Sequence, residues 1–196
     1  MYVPDSIRMR IVALSVFLGL IWFVWVLDAV TPGAGSAAGV GIVPRTWHGL
    51  EGILVAPFIH ASLEHVLANT VPLLVLGALI LLRGVPEFLF VILVSGLVGG
   101  FGTWCFGSGG GQHVGASGVV FGFFGYLVFR TAFDRRVSSA VITLVVAGLY
   151  GTAMATSLIP RDMMSWSSHF FGFIGGFVAA RMRYPSARPA AWVRRR

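Results

Sequence analysis

Six apolar stretches separated by short polar turns constrain this chain more than any other feature: residues 11–30, 63–82, 87–106, 117–130, 137–159 and 166–183. Backbone polar groups in lipid must be satisfied internally, so only helices and closed barrels cross a membrane, and these runs lack the alternation of barrel strands. The pattern predicts an all-α membrane protein, a bundle of six transmembrane helices forming a single domain over residues 1–196. The first run follows Arg8 and Arg10 and is longer than the ~7 to 15 apolar residues of a signal-peptide core. It reads as a retained span, with the small residues from Gly33 to Gly39 as an alternative cleavage site. Between it and the second run lies a mixed stretch with Arg45, Trp47, His48, Glu51 and Pro57, too polar and short to cross, which predicts an interfacial loop.

Composition agrees: 57% of residues are hydrophobic and 11% charged, which excludes an ordinary soluble domain. The net charge of +7 rests on arginine, with no lysine in the chain. Nucleic-acid binding would need those arginines gathered on one water-exposed face, whereas they punctuate the apolar runs. They set orientation instead. Arg8, Arg10, Arg83, Arg130, Arg135, Arg136 and those from Arg181 onward share one side and leave Arg45 and Arg161 opposite, so both termini are expected in the cytoplasm. Cys105 has no partner for an internal disulfide, and the histidines and cysteine show no zinc spacing. No metal or cofactor is expected. Trp104 and Trp166 fall at the expected outer ends of spans three and six as interfacial anchors.

Polar residues inside the apolar runs carry the chemistry. Asn69, Ser117 and His169 precede Arg83, Arg130 and Arg181 by about 12 to 14 residues, roughly 18 to 21 Å of helix, and so share one depth. In a hydrocarbon core ~30 Å thick, that level lies on the order of 10 Å below the outer boundary. The fourth run is short, and residues 107–113 before it are too polar to extend it. Irregular backbone at that depth has to line protein or a water-filled cavity. A tilted or locally thinned span is the alternative.

His169, Gly172 and Gly176 fall on one helix face, and Gly118, Gly122 and Gly125 follow Ser117. Small-residue faces let backbones touch, which would bring Ser117 Oγ within hydrogen-bonding range of His169; plain glycine packing without chemistry is the other reading. An ionisable group within lipid faces the bundle interior. His169 would then serve as general base for a Ser117 nucleophile, with no third carboxylate evident and Glu64 better placed as an acid near a helix N-terminus. His65 and Asn69 share a face of span two as candidate oxyanion donors beside the Ser117 backbone N–H, or else Asn69 holds spans two and four together. His48 and His113 read as polar lining.

With those residues named, the chain resembles the rhomboid family of intramembrane serine proteases. Three motifs carry the likeness: His60-Ala61-Ser62-Leu63-Glu64-His65-Val66-Leu67-Ala68-Asn69, Gly115-Ala116-Ser117-Gly118, and His169-Phe170-Phe171-Gly172 through Gly176. The resemblance implies Ser117 as nucleophile, His169 as base, and His65, Asn69 and the Ser117 N–H as oxyanion donors. His60, Gly115, Gly118, Phe121, Gly172 and Gly176 would support them. It also implies a first loop in the outer leaflet, lateral access near spans two and five, transmembrane proteins as substrates, and a site open to the outer face of the plasma membrane. Two departures stand out. Glu51-Gly52 replaces a Trp-Arg pair common in the first loop, and Phe121 replaces a tyrosine that stacks on the catalytic imidazole. No cytoplasmic accessory domain is expected before span one. The rival readings are a rhomboid-like protein that binds membrane clients without cutting them, and a transporter, against which stands the lack of an inverted repeat and of paired intramembrane carboxylates.

Overall fold

The computed structural model describes residues 5–31, 39–159 and 165–184. The small residues 33–38, Arg161 and the terminal arginines, on which parts of the sequence reading rest, lie outside them. Among the described residues seven α-helices form: α1 (Ile7–Val30), α2 (Trp47–Val55), α3 (Leu63–Leu81), α4 (Val85–Phe106), α5 (Ser117–Asp134), α6 (Val137–Thr156) and α7 (Trp166–Arg183), with a 3-10 turn at Ala56–Phe58. Their starts are written locally. Ser6, Thr46, Ser62 and Ser165 each accept a hydrogen bond from a first-turn backbone N–H, and Gly84 and Pro86 open α4. Glu64 lies in the first turn of α3, where its charge favours the helix dipole.

Among the described residues four helices, α1, α3, α4 and α6, are long and apolar enough to cross a membrane. The sequence reading also counted the stretches of α5 and α7 as spans. Their polar residues explain the difference: α5 carries Arg130 and Asp134, and α7 carries Ser167, Ser168, His169, Arg181 and Arg183. α5 is an interior helix, whereas α7 buries one side and leaves Phe170, Phe177 and Met182 exposed. Residues 119–127 of α5 are buried all the way round, and α7 packs between α4 and α5. By contrast α1 and α6 each bury three residues and leave long apolar faces outward, the pattern of helices whose solvent is lipid.

Glycines set the approach of the inner helices. A Cβ at Gly172 would lie 2.1 Å from the Gly118 carbonyl oxygen, and one at Gly176 2.1 Å from that of Gly122, so α7 rests directly on the α5 backbone. On the other side Gly99 of α4 meets Gly172, and Gly102 leaves room for the Phe171 ring. Sequence reading missed this α4 contribution.

The first loop is held without a Trp-Arg pair at 51–52. Gly52 lies so close to the Gly41 backbone that a Cβ would come within 2.3 Å of its carbonyl oxygen, which excludes any larger residue there. Arg45 takes over the anchoring from a left-handed backbone (φ 59°). Its guanidinium donates to the Cys105 and Gly107 carbonyls at the end of α4, and its N–H donates to the Trp104 carbonyl. Trp104 returns the contact by donating Nε1–H to Thr46, so its polar edge is spent on the loop. An isolated antiparallel bridge between Ile42 and His113 ties this loop to the one preceding Ser117. His48 contacts the Gly39 carbonyl and does not line the main cavity, a correction to its reading as lining.

At the arginine-rich end, two buried carboxylates that the sequence reading passed over organise the helices. Asp134 accepts from Arg83 Nη2 and Ser139 Oγ, both at 2.6 Å, with Arg130 Nε 3.7 Å away, so Arg83 in the turn just after α3 and Arg130 of α5 lie at one level. Glu87 accepts from Tyr126, Arg183 and Tyr184. These acids pair with arginines far from the serine, rather than with each other.

Candidate active site

The site is built from the start of three helices and the loop before one of them. Gly115 has a left-handed backbone (φ 113°), and a Cβ there would overlap the His65 ring at 2.6 Å, so glycine is needed on both counts. Its N–H donates to the Ala56 carbonyl, and the Ala116 N–H donates to His60 Nε2 at 3.3 Å. The chain then turns directly into α5, with Ser117 as its first residue. The first-turn N–H of Ser117 has no partner among the described residues, as helix starts leave it.

His60 is only 2% exposed and stands edge-on to His65, ring centroids 4.9 Å apart. Burial first, then the neighbouring His65, lowers its pKa to about 4, against a smaller opposing pull from the Phe58 carbonyl. It is therefore neutral at physiological pH and holds the backbone before the serine. His60 is a scaffold residue rather than a cavity residue.

A half-open cavity of about 1110 Å³ separates α3 from α6 and reaches His65, Asn69, Ser117, Phe121 and His169, with Tyr150 and Met154 on its α6 wall. His169 is fixed twice. Its Nδ1 lies 2.9 Å from the Ser157 carbonyl, which can only accept, so Nδ1 carries the proton and Nε2 keeps its lone pair. Its ring stacks on Phe121, centroids 4.3 Å apart and planes 6° from parallel. A main-chain carbonyl just past α6 thus does what a carboxylate would do, a role no side-chain pattern announces.

Two details differ from the expected geometry. Ser117 Oγ makes no hydrogen bond with His169 or any other described residue; the two open into the same cavity, and such contacts often tighten only when substrate arrives. Asn69, 5% exposed, donates one Nδ2 hydrogen to the His65 carbonyl in its own helix at 2.9 Å, leaving the other for the cavity. The alternative reading, a tie between spans two and four, is absent from its described contacts. His113 lines the cavity as expected and also bonds Ser165 and Ser108.

Sequence comparison leads to one family. The Rhomboid domain profile matches residues 45–186. An uncharacterized protein of Mycobacterium tuberculosis is 35% identical over 188 residues, covering 91% of this chain and 77% of that one. The putative rhomboid protease YdcA of Bacillus subtilis is 32% identical over 127 residues, 64% of this chain and 63% of the relative. Rhomboid protease GluP of the same organism is 31% identical over 134 residues, 65% of this chain and 25% of the relative. With Ser117 and His169 opening into one cavity between apolar helices and the matched domain covering every residue that lines it, this multi-pass membrane chain belongs to the rhomboid family of intramembrane serine proteases.

Proposed function

We propose that the protein is an intramembrane serine endopeptidase that cleaves transmembrane segments of other membrane proteins near the outer face, using Ser117 and His169 as a dyad. One observation carries the reading: the Ser157 carbonyl holds the Nδ1 proton of His169, so the free Nε2 lone pair is available in the cavity that also contains Ser117. His169 takes the Ser117 proton as Oγ attacks the scissile carbonyl, then returns it to the leaving amine. The oxyanion forms at the start of α5, where the unpaired Ser117 N–H, the helix dipole, the spare Asn69 amide hydrogen and His65 supply donors. Attack needs an accessible carbonyl, so substrates present a helix-breaking or partly unwound segment at the mouth between α3 and α6. The chain acts as one domain of six spans in the plasma membrane, α5 and α7 included, with both termini cytoplasmic and α2 resting in the outer leaflet. The 88% exposed Trp47 supports that placement of α2.

The test compares wild type with Ser117→Ala and His169→Ala on a helical-span reporter in liposomes. Each substitution is expected to lower kcat by at least about a thousandfold. Equal cleavage by wild type and Ser117→Ala overturns the assignment. Reporter binding without cleavage by wild type favours the client-binding alternative.

A further inference from the structure

His113 stands four residues before Ser117, Ser165 stands four residues before His169, and these two are bonded to each other, His113 Nδ1 to Ser165 Oγ at 2.7 Å. The direction of that bond follows from its neighbour. His113 Nε2 lies 3.2 Å from the Ser108 carbonyl, which only accepts, so Nε2 bears the ring proton and Ser165 O–H donates to Nδ1. Burial lowers the His113 pKa, with the Ser108 carbonyl opposing, which favours this neutral accepting form. With its proton directed at His113, Ser165 Oγ keeps a lone pair toward the Ser168 N–H at 3.4 Å and caps α7. The Ser165 carbonyl accepts from the backbone N–H of His169 at 3.2 Å.

Both ends of this link are anchored. The His113 backbone exchanges two 2.9 Å hydrogen bonds with Ile42, and Gly107 clears space for the ring, since a Cβ there would lie 2.9 Å from Nε2. The glycine faces decide how closely α5 and α7 approach, but a contact between smooth backbones resists sliding along the helix axis poorly. A directional hydrogen bond near the start of each helix resists it. We propose that His113 and Ser165 are a positioning pair that sets the register of His169 against Ser117 by joining the loop before the nucleophile to the cap of the helix that carries the base. This rests on the Ser117–His169 reading.

The experiment uses the full chain in liposomes and measures the rate of Ser117 labelling by a fluorophosphonate, together with kcat and KM on the reporter and the unfolding midpoint. His113→Leu and Ser165→Ala are each expected to slow labelling and lower kcat roughly ten- to a hundredfold with KM changed by less than about threefold. Both break the His113–Ser165 bond, while His113→Leu also loses the Ser108 contact and Ser165→Ala the α7 cap, so the double variant should be slower than wild type by clearly less than the product of the two single losses. His113→Gln offers an amide oxygen to Ser165 and an amide hydrogen to Ser108, and is expected to label within about threefold of wild type. Labelling by His113→Leu and Ser165→Ala within about twofold of wild type, losses that multiply in the double variant, or failure of His113→Gln to exceed His113→Leu would each overturn the pair. If His113→Leu lowers the unfolding midpoint, Ser165→Ala and His113→Gln decide alone. Failure of wild type to label, or labelling that persists in Ser117→Ala, strikes at the dyad instead.

Discussion

At the scale of single residues, His60 shows how a buried imidazole serves as an acceptor. Its folded pKa of about 4 lies below the ordinary 6.5, so its contribution to stability is whole above pH 6.5 and is lost as pH falls toward 4. Complete loss amounts to roughly 3 kcal/mol, since a unit of pKa is worth 1.36 kcal/mol. The unfolding midpoint of wild type is expected to fall with acidification more steeply than that of His60→Gln; parallel curves between pH 7 and 4 would contradict this. Phe121 makes a second case. Replacing its stacked ring with leucine is expected to lower kcat up to about tenfold, in line with the ~0.5 to 1.5 kcal/mol of an aromatic pair, while Phe121→Tyr retains activity. Ser117, His169, His65 and Asn69 were legible as candidates because polar groups are conspicuous in apolar runs. The proton-holding Ser157 carbonyl was not, because every residue has a carbonyl and only folding selects one.

At the scale of elements, the α5–α7 contact leaves no room for side chains. Gly172→Val would drive atoms into the Gly118 backbone, which cannot rotate away as a side chain can, so a loss at or above the ~1 to 3 kcal/mol of ordinary overpacking is expected, together with loss of cleavage. Gly96 has nothing within 4 Å of its would-be Cβ, so Gly96→Ala should leave both measurements unchanged. Unfolding by denaturing detergent and reporter cleavage check the contrast. Glycine spacing pointed to facing glycines on α5 and α7, yet α4 on the far side of α7 was invisible, because Gly99 and Gly102 acquire meaning only beside Gly172 and Phe171. Apolar periodicity located the helices closely, since burial in lipid is a local demand. It treated α5 like the others because sequence does not reveal that neighbouring helices surround it.

At the scale of the whole molecule, Asp134 gathers α3, α5 and α6 through Arg83, Arg130 and Ser139. Arg130 is 1% exposed, so Asp134→Asn would leave a buried charge without its counter-charge. A loss of about 3 to 5 kcal/mol in the detergent unfolding free energy is expected; a change below about 1 kcal/mol would mean that Arg130 finds another partner or water. By itself the sequence determined that the six apolar stretches become helices and that a serine, an amide and a histidine stand at similar counts from the arginines. These depend on hydrophobic runs and helical rise, both properties of neighbouring positions. Only the tertiary structure decided that α5 lies inside, which carbonyl fixes the His169 tautomer, that Arg45 ties the first loop to the end of α4, and that His113 meets Ser165. Each of those depends on backbone atoms that distant segments bring within a few ångströms, and no local pattern encodes that approach.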